Sequence, residues 1–310
     1  MTPTVPRMPK YRVSGHETFP CRYTWLPKVV QSLNENSKLF RDEDEAMVRL
    51  GVGKNMVRAI RFWADATGVS CDDGEGNFSV SSIGSQLLGN SGYDPFLEDV
   101  KTLWLLHWKL ATSAEPLLAW EYLLNRWHRL DFTRSEALQY LQDEATRLDK
   151  NLSRATIENH FDTFLHTYVP TRSKKGEVLE DNLDCPLVEL DLVTKIGERT
   201  ITDSNRRESI YAFRVEEKPE ITAELFVFCL DDFWRQHHQT ETSLTLRDVT
   251  MGIGSPGQIF KLPDHVVRQR LEELERDEHP QFGFQESAAV QRVIKRGAAS
   301  TNQLLAAIYK

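Results

Sequence analysis

The chain has four cysteines in 310 residues, and Cys21, Cys71, Cys185 and Cys229 share no short spacing. This excludes a zinc knuckle or a disulfide framework and points to reduced thiols in the cytoplasm. No apolar run is long enough to span a bilayer, and the Pro-rich start, Met1 to Lys10, lacks the apolar centre of a signal peptide. A cytoplasmic protein without membrane contact is the expectation. Surplus positive charge is also missing. Lysine and arginine number 38 against 46 acidic residues, a formal net charge of -8. A general coat of nucleic-acid affinity is thereby excluded, and any such site must be a local basic patch. His16 and Glu17 lack the second histidine of a zinc protease, because position 20 is Pro20. Gly252, Gly254 and Gly257 lack the lysine and the preceding strand of a phosphate loop.

What is present is enough apolar residue, 40%, to build a sizeable core. The pattern predicts a mainly α chain with a minor α+β component. Its expected divisions are 1–112, 113–170 and 171–310: a winged-helix-like DNA-binding domain, a helical segment, and an α+β domain ending in a second winged-helix-like unit.

The most informative stretch is 42–90. Met56, Val57, Ile60, Trp63 and Ala64 recur at three- and four-residue steps, so Lys54 to Thr67 reads as a helix with one apolar face. Lys54, Arg58 and Arg61 fall on the opposite face, and Arg49 precedes them on a shorter helix, Glu45 to Leu50, that ends at Gly51-Val52-Gly53. After Gly68, two short strands, Val69 to Cys71 and Phe78 to Ser81, flank an Asp- and Gly-rich turn. Helix, turn, helix and hairpin follow in the order of a winged helix-turn-helix. A solvated helix would show the same charged stripe, and the acidic turn would repel phosphate.

Upstream, YRVSGHETFPCRY at 11–23 is the densest cluster of chemically capable side chains. His16 and Arg22 suit a general base and a phosphate contact, although His16 and Glu17 would equally serve as local backbone caps. Downstream, Trp104, Leu105, Trp108 and Leu110 in TLWLLHWKL require burial, either inside the chain or under a partner, with His107 as a core histidine. Thr133 and Glu136 form a capping box, and Asn151 or Ser153 opens the next helix. His160, Asp162 and His166 fall on different faces of that helix, so they read as polar residues facing solvent and not as metal ligands. Pro170 to Asp184 reads as a linker, and short strands are expected at 188–192, 199–203 and 209–215, with Arg206 and Arg207 in a loop. The last segment repeats the opening theme around a helix at 263–275 and strands at 282–285 and 290–294. Arg268, Arg270, Arg292, Lys295 and Arg296 are its candidate phosphate contacts.

Three stretches, SGHETFP at 14–20, LGVGKNMVRAIRFW at 50–63 and LEDVKTLWLLHWKL at 97–110, resemble the SspB-like family of bacterial DNA phosphorothioation systems. The resemblance covers most of the chain and is densest over 11–112. It implies a component that works with a sulfur-transfer enzyme and an ATPase to replace a non-bridging phosphate oxygen by sulfur, in a modification-based phage defence. It further implies a DNA nickase acting on double-stranded DNA. No HNH, GIY-YIG or Asp-Glu-Lys nuclease pattern stands in the sequence. His16, Glu17 and Arg22 are therefore the catalytic candidates, and Arg49, Lys54, Asn55, Arg58 and Arg61 the DNA contacts. No cofactor is identifiable; strand cleavage would call for a divalent ion, magnesium or manganese, whose ligands are unknown. A homodimer would double the phosphate footprint. The alternatives are a non-enzymatic DNA-recognising adaptor that docks partners on Trp104 to Leu110, or a transcriptional regulator.

Overall fold

The computed structural model describes residues 10–148, 151–170, 185–200, 207–287 and 290–310. It is a helix-dominated α+β fold with three small antiparallel sheets. Most of the expected linker at 170–184, the tip of the expected strand at 199–203, and Arg206 lie outside the described residues. Among the described residues no helix is long and apolar enough to cross a membrane.

The first unit comprises α1 (Trp25–Glu35), α2 (Glu43–Leu50), α3 (Lys54–Ala66), the strands β1 (Ser70–Asp72) and β2 (Phe78–Val80), and α4 (Ser82–Leu88). Local chemistry sets these bounds. Asp42 caps α2 by accepting from the backbone N–H groups of Asp44 and Glu45, and Gly51 ends the helix at φ 69°. Only a residue without a Cβ enters that left-handed region freely. α3 buries Val57, Ala59, Ile60, Phe62, Trp63, Ala64 and Ala66, so its apolar face matches the expected stripe and widens it. The hairpin pairs Ser70 with Val80 and Asp72 with Phe78.

Next comes α5 (Val100–Ala111), which starts at the Asp99 cap. Asp94 does not begin a helix. Its carboxylate instead accepts from the N–H groups of Glu98 and Asp99 and holds a turn. In α5, Trp104, Leu105, Trp108 and Leu110 are each at most 1% exposed. A docking surface there is therefore ruled out, because the aromatic face is already spent inside the chain.

The remaining chain repeats one topology. A short helix α6 (Leu118–Trp120) runs into a π-helical turn, Glu121–Arg126, and then β3 (Asp131–Thr133), α7 (Arg134–Arg147), α8 (Arg154–Tyr168), a 3-10 turn (Pro186–Leu190), β4 (Val193–Thr200) and β5 (Arg207–Phe213). After them come α9 (Ala223–His237), β6 (Ser243–Thr245), α10 (Leu246–Met251), α11 (Pro256–Phe260), α12 (Asp264–Arg276), β7 (Phe282–Glu286), β8 (Gln291–Lys295) and α13 (Thr301–Ile308). The sheets are ordered β3-β5-β4 and β6-β8-β7. In each, the lone strand before the intervening helices, α7 and α8 in the first and α10 to α12 in the second, joins the second strand of the hairpin after them. The first unit keeps a remnant of that pairing, since Phe78, opening β2, donates its N–H to the carbonyl of Ser37 ahead of α2.

Two corrections follow. The segment 113–170, expected to be helical, contributes β3 to a sheet whose other strands lie beyond residue 190. The strand expected at 188–192 is a 3-10 turn, because Pro186 at its start fixes φ and lacks an N–H.

The repeat extends to the capping chemistry. Thr133 ends β3 and caps α7 in a reciprocal box with Glu136, and Thr245 ends β6 and caps α10 in the same way with Asp248. Replacing Thr245, which is exposed, by alanine is expected to cost about 1 kcal/mol, and replacement by serine much less. Urea unfolding of both variants, with an unchanged denaturant slope, is the check.

Candidate functional site

The first motif is wedged against the inner side of α3. Gly15 has φ 105°, and a Cβ built there would sit 2.8 Å from the Phe62 ring. Glu17 and Thr18 follow at φ 50° and 66°. Consecutive non-glycine residues in the left-handed region cost on the order of 1–3 kcal/mol each, so the surroundings must hold them. They do. The Trp63 indole N–H donates to the Phe19 carbonyl at 2.9 Å, and Phe19 N–H donates to the His16 carbonyl at 2.8 Å. Arg12 lies over the Phe62 ring and donates to Asp65 at 2.6 Å.

His16 is 3% exposed and stands beside His160 of α8, itself 1% exposed. His16 Nε2 and His160 Nδ1 are 3.1 Å apart. Burial, reinforced by Arg12, lowers the His16 pKa to about 4. Burial, then the neighbouring His16, pushes His160 well below its ordinary range. Both rings are neutral at pH 7, so each has one N–H and one lone pair. Backbone N–H groups of Thr18 and Ala119 point at the outer nitrogens, His16 Nδ1 and His160 Nε2, each at 3.1 Å. If both outer nitrogens accepted, two N–H groups would face each other across the inner contact. One outer nitrogen must therefore carry hydrogen. Thr163 Oγ1, 3.2 Å from His16 Nδ1, is the acceptor available, since it donates its own proton to the Asn159 carbonyl. That arrangement, Ala119 N–H to His160 to His16 to Thr163, gives up the Thr18 N–H bond to His16 Nδ1; with either tautomer both ring nitrogens of His16 are engaged inside the chain. The expected surface position of His160 is overturned: its helix neighbours Ile157, Phe161 and Phe164 are all buried with it.

Glu17 is half-buried beyond this seal, near enough to Arg58 to raise that guanidinium's pKa, although the larger cause is the hydrogen bond to Glu43. Arg22 lies 5.7 Å from the Trp25 ring, on the far side of Pro20. On the outer face of α3, Lys54 and Arg61 are exposed and Arg58 is half-exposed, and Asn55 is exposed in the first turn. The stripe is interrupted by one group from outside the helix. Glu43, on α2, accepts from Lys54 at 2.6 Å and from Arg58 at 2.8 Å. Arg61 reaches the Phe78 ring of the hairpin at 6.0 Å, and Arg49 pairs with Glu35.

The C-terminal candidates are used differently. Arg270 donates to the carbonyls of Ile221 and Lys218, and burial lowers its pKa. Lys295 pairs with buried Asp231 at 3.0 Å, beside Trp234 and Phe282. Arg296 pairs with Glu275, and Arg268 with both Glu272 and Glu286. Arg292 is exposed on β8 and has no ion-pair partner among the described residues. The structure thus gathers Arg49, Lys54, Asn55, Arg58 and Arg61 on one unit and ties Arg270 and Lys295 into the interior. Two residues central to this geometry, Glu43 and His160, carried no signal in their own neighbourhoods, because their partners are distant in sequence. Among the described residues no group of three or more His, Cys, Asp or Glu is placed to hold a metal ion.

Residues 13–309 match the model of a family described as a protein of unknown function, DUF4007. The chain belongs to that family. Among solved structures it is similar to a magnesium ion-bound SspB, with 25% identity and a TM-score of 0.79 over 95% of this chain and 85% of that one. A second SspB crystal structure matches with 26% identity and a TM-score of 0.77, over the same shares. Nothing among curated proteins matches. This DUF4007 chain is thus SspB-like over nearly its whole length.

The buried histidines make the DUF4007 fold acid-sensitive. His16 and His107 both titrate near 4 when folded and near the ordinary 6.5 when unfolded. Below 6.5 the unfolded chain takes up protons that the folded chain refuses, so stability falls as pH drops from about 6.5 toward 4. The slope is up to about 1.4 kcal/mol per pH unit for each such histidine. Urea midpoints measured from neutral pH downward should decline through that window. A flat profile would show that the imidazoles are not held neutral.

Proposed function

We propose that this chain is a DNA-binding component of a DNA phosphorothioation system and that it nicks one strand of the duplex to admit sulfur. The observation that carries the reading is the outer face of α3, where Lys54, Arg58 and Arg61 are presented on one side of a helix whose other side is core, with Asn55 exposed in its first turn. We take the first unit as a winged helix, with α3 in the major groove and the β1–β2 hairpin beside the backbone. Lys54, Arg58 and Arg61 would contact phosphates, and Asn55 in the first helical turn a base edge. The likeness to SspB structures supports assigning the chain to the sulfur-modification machinery, alongside its sulfur-transfer enzyme and ATPase.

For strand cleavage, Glu17 is the group we assign to activating water. It sits at the tip of a left-handed turn that packs against the inner side of α3, close enough to Arg58 to raise that guanidinium's pKa after the larger effect of Glu43. His16 acts as a positioning residue, because its nitrogens are spent on His160 and Thr163. Arg22 would add positive charge near a developing phosphorane.

The test is a supercoiled-plasmid nicking assay with purified protein, with and without magnesium or manganese. Wild type should give open-circle product, Glu17→Ala should lose it while still binding duplex, and Arg58→Ala should weaken binding and lower its salt slope by about 1. Binding without nicking in the wild type would remove the enzymatic half of the reading and leave a DNA-recognising adaptor.

A further inference from the structure

The two carboxylate oxygens of Glu43 are used separately: Oε2 accepts from Lys54 Nζ at 2.6 Å, and Oε1 accepts from Arg58 Nε at 2.8 Å. Lys54 and Arg58 stand one turn apart on α3, so one anion bridges both, as the non-bridging oxygens of a DNA phosphate would. The carboxylate is not on a loose arm. Asp42 fixes the first turn of α2 by capping Asp44 and Glu45, and the Gly51 to Gly53 connection is too short for α2 to swing away from α3. Of the three acids in that first turn, Glu43, Asp44 and Glu45, Glu43 alone holds cations of α3. Hydrogen bonds from Lys54, then Arg58, keep its carboxyl below the ordinary carboxylate range, so the anion is present throughout neutral pH. Arg61 lies outside this grip, one turn further along and exposed beside Phe78.

We propose that Glu43 is a specificity-setting residue of the DNA interface: its carboxylate occupies the place of a backbone phosphate and withholds Lys54 and Arg58 until a well-seated duplex displaces it. The inference rests on α3 being the DNA-binding helix. Its consequence is that random duplex meets chiefly Arg61 and Asn55, whereas a duplex seated deeply enough to supply its own phosphate recruits two further cations. Affinity for arbitrary DNA is kept low by an internal competitor, which suits a chain of net charge -8 whose task is to act at chosen sites.

The experiment is fluorescence anisotropy on a labelled random-sequence duplex over a salt series, using the full chain. Wild type, Glu43→Gln, Glu43→Asp, Asp44→Asn and Arg61→Ala are compared, with a thermal melt of each to verify folding. Glu43→Gln keeps the size of the side chain and removes its charge. Binding should tighten on the order of tenfold, with a salt slope steeper by about 1–2 as two more cations reach phosphates. Glu43→Asp is one methylene short of bridging both cations and should tighten binding by less. Asp44→Asn removes the same charge from the same helical turn and should change little. The proposal is overturned if wild type binds and Arg61→Ala weakens it, yet Glu43→Gln leaves affinity unchanged or lowers it. It is equally overturned if Asp44→Asn reproduces the Glu43→Gln effect, since net charge alone would then account for it. If neither wild type nor Glu43→Gln binds duplex at low salt, the DNA reading of α3 falls and the latch falls with it.

Discussion

Helix α5 has almost no wet face, and that constraint shapes everything around it. Nine of its residues are buried, including Thr102, His107 and both tryptophans, so each polar atom must find a partner inside the protein or cost free energy. The partners come from well-separated parts of the chain. Thr102 meets the Tyr309 hydroxyl, and Lys101 reaches the Ile308 carbonyl, both at the end of α13. His107 lies between the Tyr168 hydroxyl of α8 and the Ile259 carbonyl of α11. Trp108 and Lys109 both donate to Asp232 of α9. An apolar helix alone would tolerate several packings of its neighbours, but these directional contacts select one, because each misplacement strands a buried donor or acceptor.

Within that frame the helix pairs of similar topology are put to unequal use. In the first unit, the second helix of the pair, α3, keeps one polar side open. In the next, the corresponding helix α8 is consumed by packing: His160, Phe161, Phe164 and Tyr168 are all buried, and it receives His16 from the first unit. In the last, α12 does present a charged surface, but Arg268 and Arg276 share it with Asp264, Glu272 and Glu273, and Arg270 is turned inward onto carbonyls. Contact with a polyanion is most favourable where cations are not interleaved with acids on the same helix. That condition singles out α3.

What could be read from the sequence was what short-range physics decides. The stripe of Lys54, Arg58 and Arg61, the apolar face behind it and the Thr133–Glu136 box depend on residues three or four apart, so their spacing announces them. The aromatic run from Trp104 to Trp108 announced that it would be buried, but not against what, since core and interface draw on the same side chains. Contacts closed over long loops were invisible. β3 pairs with a strand roughly eighty residues later. His160 meets His16 from 144 positions away and sits in a helix whose polar residues, read locally, belong to solvent. Glu43 is one of several acids at a helix start, where the macrodipole favours them all. Only the angle between α2 and α3 sets it apart.

These long-range pairings also explain how a chain with more acid than base can carry a basic site at all. Arg49 answers Glu35, Lys54 and Arg58 answer Glu43, and Arg12 answers Asp65. The patch is therefore assembled partly neutralised, which lessens the repulsion between like charges on neighbouring turns of the helix. If α3 is the DNA-binding helix, as proposed, this pairing would make binding an exchange of anions rather than a capture by bare charge. On that proposal a phosphate would gain Lys54 and Arg58 only by replacing a carboxylate that is already well hydrogen-bonded, so position would matter more than proximity. Contact strength would then depend on how closely a duplex followed the surface of α3, and the Glu17 turn, packed against the inner side of that helix by Phe62 and Trp63, is held in register with whatever lies on the outer side.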